Sequence, residues 1–559
     1  MPSLRILWCG LIALACATPS LPAEGQDRGA VDVLLNNIVL HEQEFLSNLR
    51  AHRPVIETYI QEMPASDQGS APLKDHYFLG RLSLVDGLNY ESLLTRTDNQ
   101  KGSVWPFGKN TPTTFLPKGF AQMTMIDSAN FNRATYRFEY VRREFLGEVR
   151  SLVFEVTPID KRSSGQFLGS IWVEDKDYRI VRFNGTYTSV KTSSLFGLRT
   201  STPLYFHFDS WRVNIGPGKW VPAFVYVEES GASEKQPNAS RFKAQTRLWG
   251  YNSNTVNRLD ELTSMLIESE TKLEDDSGAK DVSPLESQRS WEHQAEANIL
   301  DRLEKGGLLA PKGDVDKMLT TVVNNLIVTN NLSVDVDCRV LMSTPLETFS
   351  IGHTIVISRG LLDVLPDEAS LATILAQELA HIALGHPTDT EFSFHNRMML
   401  PDIEVLQSFR FQRSDKEVAE ASVKTVDFLK NSPYKVKLGN AELFLKALAS
   451  RADHLPKLIQ ATVGNQLASK EMLTRFTDFA SQSPDLQESN LEQIAALPLG
   501  SRVKVDPWTN QIALMKNKPL SLLSAREKMP FEVTPFALYL TRNDKPLGKS
   551  TTTVASGTP

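Results

Sequence analysis

The sequence predicts an α+β protein, in which an N-terminal antiparallel β-rich domain of half-barrel type is joined to a mainly α-helical domain. Between about residues 121 and 251, short runs of aromatic and apolar residues alternate with charged ones and are separated by Pro, Gly and Asp. This pattern is typical of antiparallel strands. Between about residues 291 and 480, apolar residues recur at the three- and four-residue spacing of helices. The acidic, polar residues 252–290 are predicted to be a linker between the two domains.

The overall composition sets broad limits on function. A chain of 559 residues predicts more than one domain. Its 41% hydrophobic and 23% charged residues are ordinary for a globular protein. The formal net charge of -6 offers no basic surface for a nucleic acid. We therefore expect no nucleic-acid partner.

The first residues have the features of a secretory signal peptide, assigned to residues 1–23. Arg5 supplies a positive charge, Ile6–Ala17 is an apolar run too short to span a bilayer, and Ala23 completes a plausible cleavage site. We therefore expect an exported protein, periplasmic or secreted. No later stretch is long and apolar enough for a transmembrane helix, so none is expected in the mature chain.

The three cysteines bear on export and anchoring. Cys9 and Cys16 fall within the predicted signal peptide, so Cys338 alone remains and no intramolecular disulfide is expected. Lipid attachment at Cys16 is not favoured, because the bulky Leu14 lies close to the position of the cut. Stability must then come from the packed core.

The remaining segments complete the predicted organisation. Residues 31–63 show helical apolar spacing interrupted by Pro54, and residues 64–120, which are rich in Pro, Gly, Asp and Thr, are predicted to form loops with short strands. We therefore assign 31–120 to a helix and an irregular N-terminal region. Residues 481–549 are assigned to a C-terminal extension with a hairpin, and residues 550–559 to a disordered tail.

One apolar stretch carries the residues of most chemical interest. Leu371–His386 is rich in Ala, Leu and Ile, which favours a buried helix, and Asp367 is a candidate N-cap. Gln377 and His381 are one turn apart on one helical face, with Glu378 beside them. This is the spacing of H-E-x-x-H, in which two His bind zinc and the Glu polarises a zinc-bound water. Here Gln replaces the first His.

Residues 334 to about 460 resemble the M48 family of zinc metallopeptidases. The strand region Phe349–Ser358, a Gly-Leu-Leu turn and the helix with the degenerate motif QExxH follow one another in the order of that family. The resemblance implies that Glu378 is the general base and His381 the second zinc ligand. It places Gln377 where the first ligand belongs.

The third zinc ligand of such a peptidase comes from a downstream E-x-x-A-D motif. The nearest stretch here is Asp415–Ser422, where one alignment places Val418 at the ligand position and another places Lys416 there. Glu417 is one residue away in either case and is the candidate third ligand. The aspartate of the motif is missing in both alignments.

Three other histidines lie near this region in sequence. His386 follows the motif by five residues, beyond the shared helical face, and His353 and His395 flank the helix at greater separation. We interpret all three as structural or surface residues, because a lone His is usually a polar residue without a metal.

The substitution at Gln377 decides between two hypotheses. A neutral amide is a poor zinc donor, and a catalytic zinc site has no spare ligand. The first hypothesis is an exported pseudopeptidase without zinc, whose groove beside the helix still binds an unfolded or extended polypeptide by strand addition. The second is an active periplasmic zinc metalloendopeptidase of protein quality control, which uses an unorthodox ligand set such as His381, Glu417 and a further donor.

A weaker resemblance gives a third hypothesis. The strand around Ile171-Trp172-Val173, the acidic turn and strand ending at Arg182, and Trp220-Val221-Pro222 resemble the LolA/LolB half-barrel of lipoprotein carriers. This resemblance implies an apolar concavity that could hold an acyl chain. The chain would then be a lipid or lipoprotein carrier or sensor through residues 121–251. A packed β domain with a filled interior fits the same pattern.

Overall fold

The structure is a computed structural model. It describes residues 24–64, 72–93, 115–127, 130–160, 164–192, 199–203, 206–229, 241–252, 284–390, 406–461, 463–465, 467, 486, 496–500, 502–515, 531–535 and 537–543. The predicted signal peptide with Cys16, most of the predicted linker, His395 and the predicted tail at 550–559 lie outside these residues.

The helices are α1 (Glu24–Leu49), α2 (Pro117–Gln122), α3 (Pro284–Lys305), α4 (Asp314–Thr329), α5 (Arg359–Val364), α6 (Glu368–Ala383), α7 (Asp415–Lys430), α8 (Leu438–Arg451) and α9 (Pro456–Ile459). The first eleven strands are β1 (Val55–Met63), β2 (Lys74–Ser83), β3 (Asn89–Ser92), β4 (Tyr136–Leu146), β5 (Val149–Pro158), β6 (Phe167–Glu174), β7 (Ile180–Thr192), β8 (Arg199–Pro203), β9 (Phe206–Gly216), β10 (Lys219–Glu229) and β11 (Arg241–Trp249). The others are β12 (Asp337–Leu341), β13 (Thr348–Ile351), β14 (Thr354–Ser358), β15 (Val503–Val505) and β16 (Ile512–Leu514).

Strands β1 to β11 form one antiparallel sheet in the order β3-β2-β1-β11-β10-β9-β7-β6-β5-β4, with β8 paired to β7. The α+β fold class and the antiparallel N-terminal sheet are thereby confirmed. The sheet also takes in β1, β2 and β3 from residues 31–120. Strands β2 and β3 lie where short strands were predicted, whereas β1 lies in the segment with helical spacing. Helical spacing holds only as far as Leu49. Beyond Pro54, the residues Val, Ile, Thr and Tyr of β1 favour a strand.

The sheet is buried on both faces along β1. Along β1, Val55 and Tyr59 pack into the core shared with the helical part, whereas Ile56 and Ile60 pack with residues of α1 and α2. Successive side chains of a strand point to opposite faces, so this alternation shows two buried faces. At β1 the sheet therefore lies between the N-terminal helices and the C-terminal part of the chain.

The face under α1 and α2 is packed with aromatic side chains. They include Phe120, Phe131, Phe154, Phe167, Phe183 and Phe208. A cavity of about 370 Å³ remains beside α1, and its lining includes the buried ion pair of Arg212 with Glu42 at 2.6 Å. This packing gives no support to the acyl-chain concavity that the half-barrel resemblance implies.

Buried carboxylates join the sheet to the helical part. Glu57 of β1 accepts hydrogen bonds from Arg359 Nη2 (2.6 Å), Thr344 Oγ1 (2.7 Å) and Tyr77 OH (2.8 Å). Asp75 of β2 accepts from two backbone N–H groups in the first turn of α9, at 2.9 and 2.8 Å. Apolar residues of both parts also belong to one continuous core.

The helical part is built around a small sheet that positions α6. Strand β14 pairs in parallel with β12 and antiparallel with β13, which leaves β13 at an edge. The predicted strand region Phe349–Ser358 is therefore the hairpin β13–β14. Helix α6 packs against α4, α7, α8 and β13. Within the described part of the chain, no helix is both long and apolar enough to cross a membrane.

Candidate functional site

Helix α6 holds three of the predicted site residues in the protein interior. The predicted N-cap is found, since Asp367 Oδ1 accepts a 2.9 Å hydrogen bond from Ser370 N. The side chains of Gln377, Glu378 and His381 have 0% exposure. The helix therefore carries these three polar residues into the interior, among buried Ala, Leu and Ile residues of the same helix.

Several polar atoms of these three residues have no hydrogen-bond partner among the described residues. They are the amide atoms Oε1 and Nε2 of Gln377, Oε2 of Glu378 and Nε2 of His381. Leaving a buried polar atom unpaired costs about 1–3 kcal/mol, so such atoms are uncommon. Among the described residues, the amide of Gln377 thus makes no protein hydrogen bond that would explain its presence in an apolar helix.

Glu378 is hydrogen-bonded to a residue that lies 87 positions later in the sequence. Its Oε1 accepts a 3.0 Å hydrogen bond from Asn465 Nδ2. Asn465 Oδ1 accepts from the backbone N–H of Arg413 at 2.8 Å. Burial raises the pKa of Glu378, and the Asn465 hydrogen bond and the Arg413 charge oppose that rise. No sequence motif marks Asn465 or Arg413, so sequence analysis missed both.

His381 is paired with another imidazole. Its Nδ1 lies 2.8 Å from Nδ1 of His386, whose Nε2 is 3.4 Å from the Glu420 carboxylate. Burial, with the charges of Arg413 and His386, lowers the pKa of His381 to about 3, so the ring is neutral at pH 7. His386 was expected off this face, but Gly385 at a φ of +69° turns the chain back toward the helix.

The side chain of Glu417, the candidate third ligand, caps a helix. Glu417 Oε2 accepts from Ser414 N (2.9 Å) and Ser414 Oγ (2.7 Å), which forms a capping box at the start of α7. Burial raises the pKa of Glu417, but these hydrogen bonds and the Arg413 charge outweigh burial and lower it. His353 is exposed and packs edge-on against His293.

A cleft of about 260 Å³ opens between α7 and the edge strand β13. It is lined by Ser350, Pro387, Thr388, Asp389, Arg410, Phe411, Gln412, Arg413 and Glu417. The guanidinium of Arg413 lies along this cleft, where Nη2 donates to Ser350 Oγ at 3.1 Å and Nη1 donates to the Pro387 carbonyl. The cleft and the polar residues of α6 therefore share Arg413 as a neighbour.

Comparison with protein families matches residues 316–428 to peptidase family M48. The match spans α5, α6 and almost all of α7, so the chain carries an M48 peptidase domain, as the sequence resemblance predicted. No curated protein matches the chain.

Two solved structures show a distant likeness. The MucA/MucB complex of Pseudomonas aeruginosa is 8% identical with a TM-score of 0.13, covering 39% of this chain and 94% of that chain. MucB in complex with MucA(peri) is 9% identical with a TM-score of 0.12, covering 39% and 93%.

The donor set does not fit the zinc ion that M48 peptidases use. Gln377 offers an amide at the first ligand position. Neither candidate for the third position, Val418 or Lys416, carries an imidazole or a carboxylate, and Glu417 is engaged by Ser414. Within the described ranges, no group of three His, Cys, Asp or Glu side chains is placed to hold a metal ion. A catalytic zinc site needs three protein ligands and a water, and His381 is the one clear donor of the family pattern found here.

Proposed function

We propose that this chain is an exported M48-like pseudopeptidase that binds an unfolded or extended polypeptide beside α6 and does not cleave it. The observation that carries the proposal is the buried amide of Gln377, which occupies a ligand position and has no hydrogen-bond partner among the described residues. An amide oxygen is a weak zinc donor in a site without a spare ligand.

The remaining site residues support the same proposal. In a zinc peptidase, the metal lowers the pKa of its bound water to about 7, and the helix Glu accepts a proton from that water. Without a bound metal, Glu378 has no activated water to deprotonate. Its hydrogen bond from Asn465 at 3.0 Å is a structural contact that does not need a metal.

Polypeptide binding is supported by the edge of the small sheet. In the described part of the chain, β13 pairs on its outer side only through a single bridge between Thr348 and Asn465. The cleft begins farther along the strand, at Ser350. Residues Thr348–Ile351 of β13 are at most 1% exposed, so an extended peptide would add a strand to this edge after displacing the segment that covers it, with its side chains in the adjoining cleft.

Export remains part of the proposal. It is supported by the signal-peptide features of residues 1–23. Expression of the full chain with a C-terminal tag, followed by fractionation and N-terminal sequencing of the mature product, tests it. Cleavage after Ala23 is the expected result, and an uncleaved cytoplasmic product would contradict it.

Binding and cleavage can be measured in one assay. Fluorescently labelled unfolded casein is added to the full-length protein, and anisotropy and gel analysis report binding and cleavage. We expect binding without cleavage. Asp389→Trp, which places an indole in the cleft, should weaken binding by about tenfold or more. Asp301→Trp, on an exposed face of α3, is the matched control and should not.

Two outcomes would contradict the proposal. Cleavage that is abolished by a chelator and by Glu378→Gln would identify an active zinc peptidase. Casein that binds with equal affinity to wild type and Asp389→Trp would show that the cleft is not the binding site.

A further inference from the structure

Arg413 connects the three segments that surround the polar face of α6. It is the residue before the N-cap of α7, and its backbone N–H donates to Asn465 Oδ1 at 2.8 Å. Its Nη2 donates to Ser350 Oγ on β13 at 3.1 Å, and its Nη1 donates to the carbonyl of Pro387 in the segment after α6. One side chain thus joins the edge strand and the segment after α6, and its backbone joins the segment of Asn465.

The charge of Arg413 acts on each ionisable group of the family site. It lowers the pKa of the carboxyl groups of Glu378 and Glu417, and it lowers the pKa of the His381 imidazole. A bound divalent cation has the same two effects, since it favours a carboxylate and disfavours an imidazolium. A guanidinium keeps its positive charge in proteins, so this influence is permanent.

We propose that the Arg413 guanidinium is the resident cation of this site and supplies the positive charge that a divalent metal supplies in an M48 peptidase. Arg413 is a positioning residue, because it holds Ser350, Pro387 and Asn465 around α6 and does not itself react. A metal ion that entered beside it would meet a fixed charge of the same sign.

This inference has a consequence for restoring the site. Returning the lost ligands, with Gln377→His and Val418→Glu, would provide the imidazole and carboxylate donors of the family pattern. Arg413 would still oppose the metal. The inference concerns the exclusion of metal and does not depend on polypeptide binding, so the two proposals can fail separately.

The test is a calorimetric titration of zinc into full-length variants. The parent variant is Gln377→His/Val418→Glu, and it is compared with the same variant carrying Arg413→Gln. We expect the loss of the guanidinium to tighten zinc binding by about tenfold or more. Arg413→Lys keeps the positive charge and should leave zinc binding as weak as in the parent.

Arg410→Gln is the matched control. Arg410 lines the same cleft, but its Nη1 donates to the carbonyls of Gln407 and Phe409 in its own segment. An equal gain with Arg410→Gln, no gain with Arg413→Gln, or no zinc binding in any variant would overturn the proposal. Circular dichroism checks folding. If Val418→Glu prevents folding, Gln377→His with and without Arg413→Gln gives the same comparison.

Discussion

The side-chain amide of Asn465 donates a 3.0 Å hydrogen bond to Oε1 of Glu378, which lies 87 residues earlier in the chain. The same Asn465 donates its backbone N–H to the carbonyl of Thr348 on the edge strand β13 at 2.8 Å. A later segment of the chain therefore fixes the carboxylate that would act as the base in an M48 peptidase. This contact satisfies one oxygen of a fully buried Glu without a metal.

Asn465→Ala should lower the free energy of unfolding by about 2 kcal/mol, because it leaves Glu378 Oε1 unpaired in the interior and removes the acceptor of the half-buried Arg413 N–H. Urea unfolding of both proteins measures the loss. Asn440→Ala removes an exposed amide that donates to Asp367 Oδ2, and should cost no more than about 0.5 kcal/mol. Equal losses of unfolding free energy would show that the contact with Glu378 stabilises the fold no more than an exposed hydrogen bond does.

Glu378→Gln should be at least as stable as the wild type at neutral pH, with an advantage that grows as the pH rises. Burial raises the folded-state pKa of Glu378 above its ordinary 4.5. The native wild type therefore binds more protons than its unfolded chain above pH 4.5, and it loses stability as the pH rises through the folded-state pKa. Unfolding free energies at pH 5 and pH 8 provide the comparison. A variant that loses stability relative to wild type as the pH rises would refute this.

His381→Asn should remove part of the acid sensitivity of the fold. The folded-state pKa of His381 is about 3, below its ordinary 6.5. Between these values the unfolded chain binds the extra proton, so the wild type loses stability as the pH falls from 6.5 toward 3. The slope should be about 1.4 kcal/mol per pH unit in mid-window. The difference between the two proteins is measured by denaturation across this range, and parallel curves would count against a neutral buried His381.

Glu57→Gln should destabilise the junction between the sheet and the helical part. Glu57 and Arg359 are both at most 2% exposed and lie 2.6 Å apart. Removing one partner of such a buried pair costs about 3–5 kcal/mol. Asp337→Asn, which breaks the exposed pair of Asp337 with Lys312, should cost no more than about 1 kcal/mol. Urea unfolding of the two variants measures both losses. Similar losses of unfolding free energy would mean that the buried pair does not stabilise the junction.

Much of the fold could be predicted because its signals are local. The apolar spacing and the N-cap Asp367 predict α6, and alternation predicts most strands of the sheet. Strand β1 was missed because its apolar residues follow Pro54 and continue a helix-like spacing from α1. Pairing with β11 and burial on both faces make it a strand, and neither is visible in the local sequence.

Sequence alone predicted the residues of the candidate site that lie on one helix, α6. Gln377, Glu378 and His381 are separated by fixed helical spacing, so the motif reveals them. Asn465 and Arg413 reach the site through tertiary packing, and no spacing rule connects either to Glu378. The capping role of Glu417 follows from its position three residues after Ser414, a signal that could have been read from the sequence.

The most direct test is elemental analysis of zinc in the purified full-length protein after dialysis against metal-free buffer. We expect well under one zinc ion per chain, because Gln377 stands at the first ligand position and Val418 or Lys416 at the third. One tightly held zinc ion per chain would contradict it and would identify a working metal site around His381.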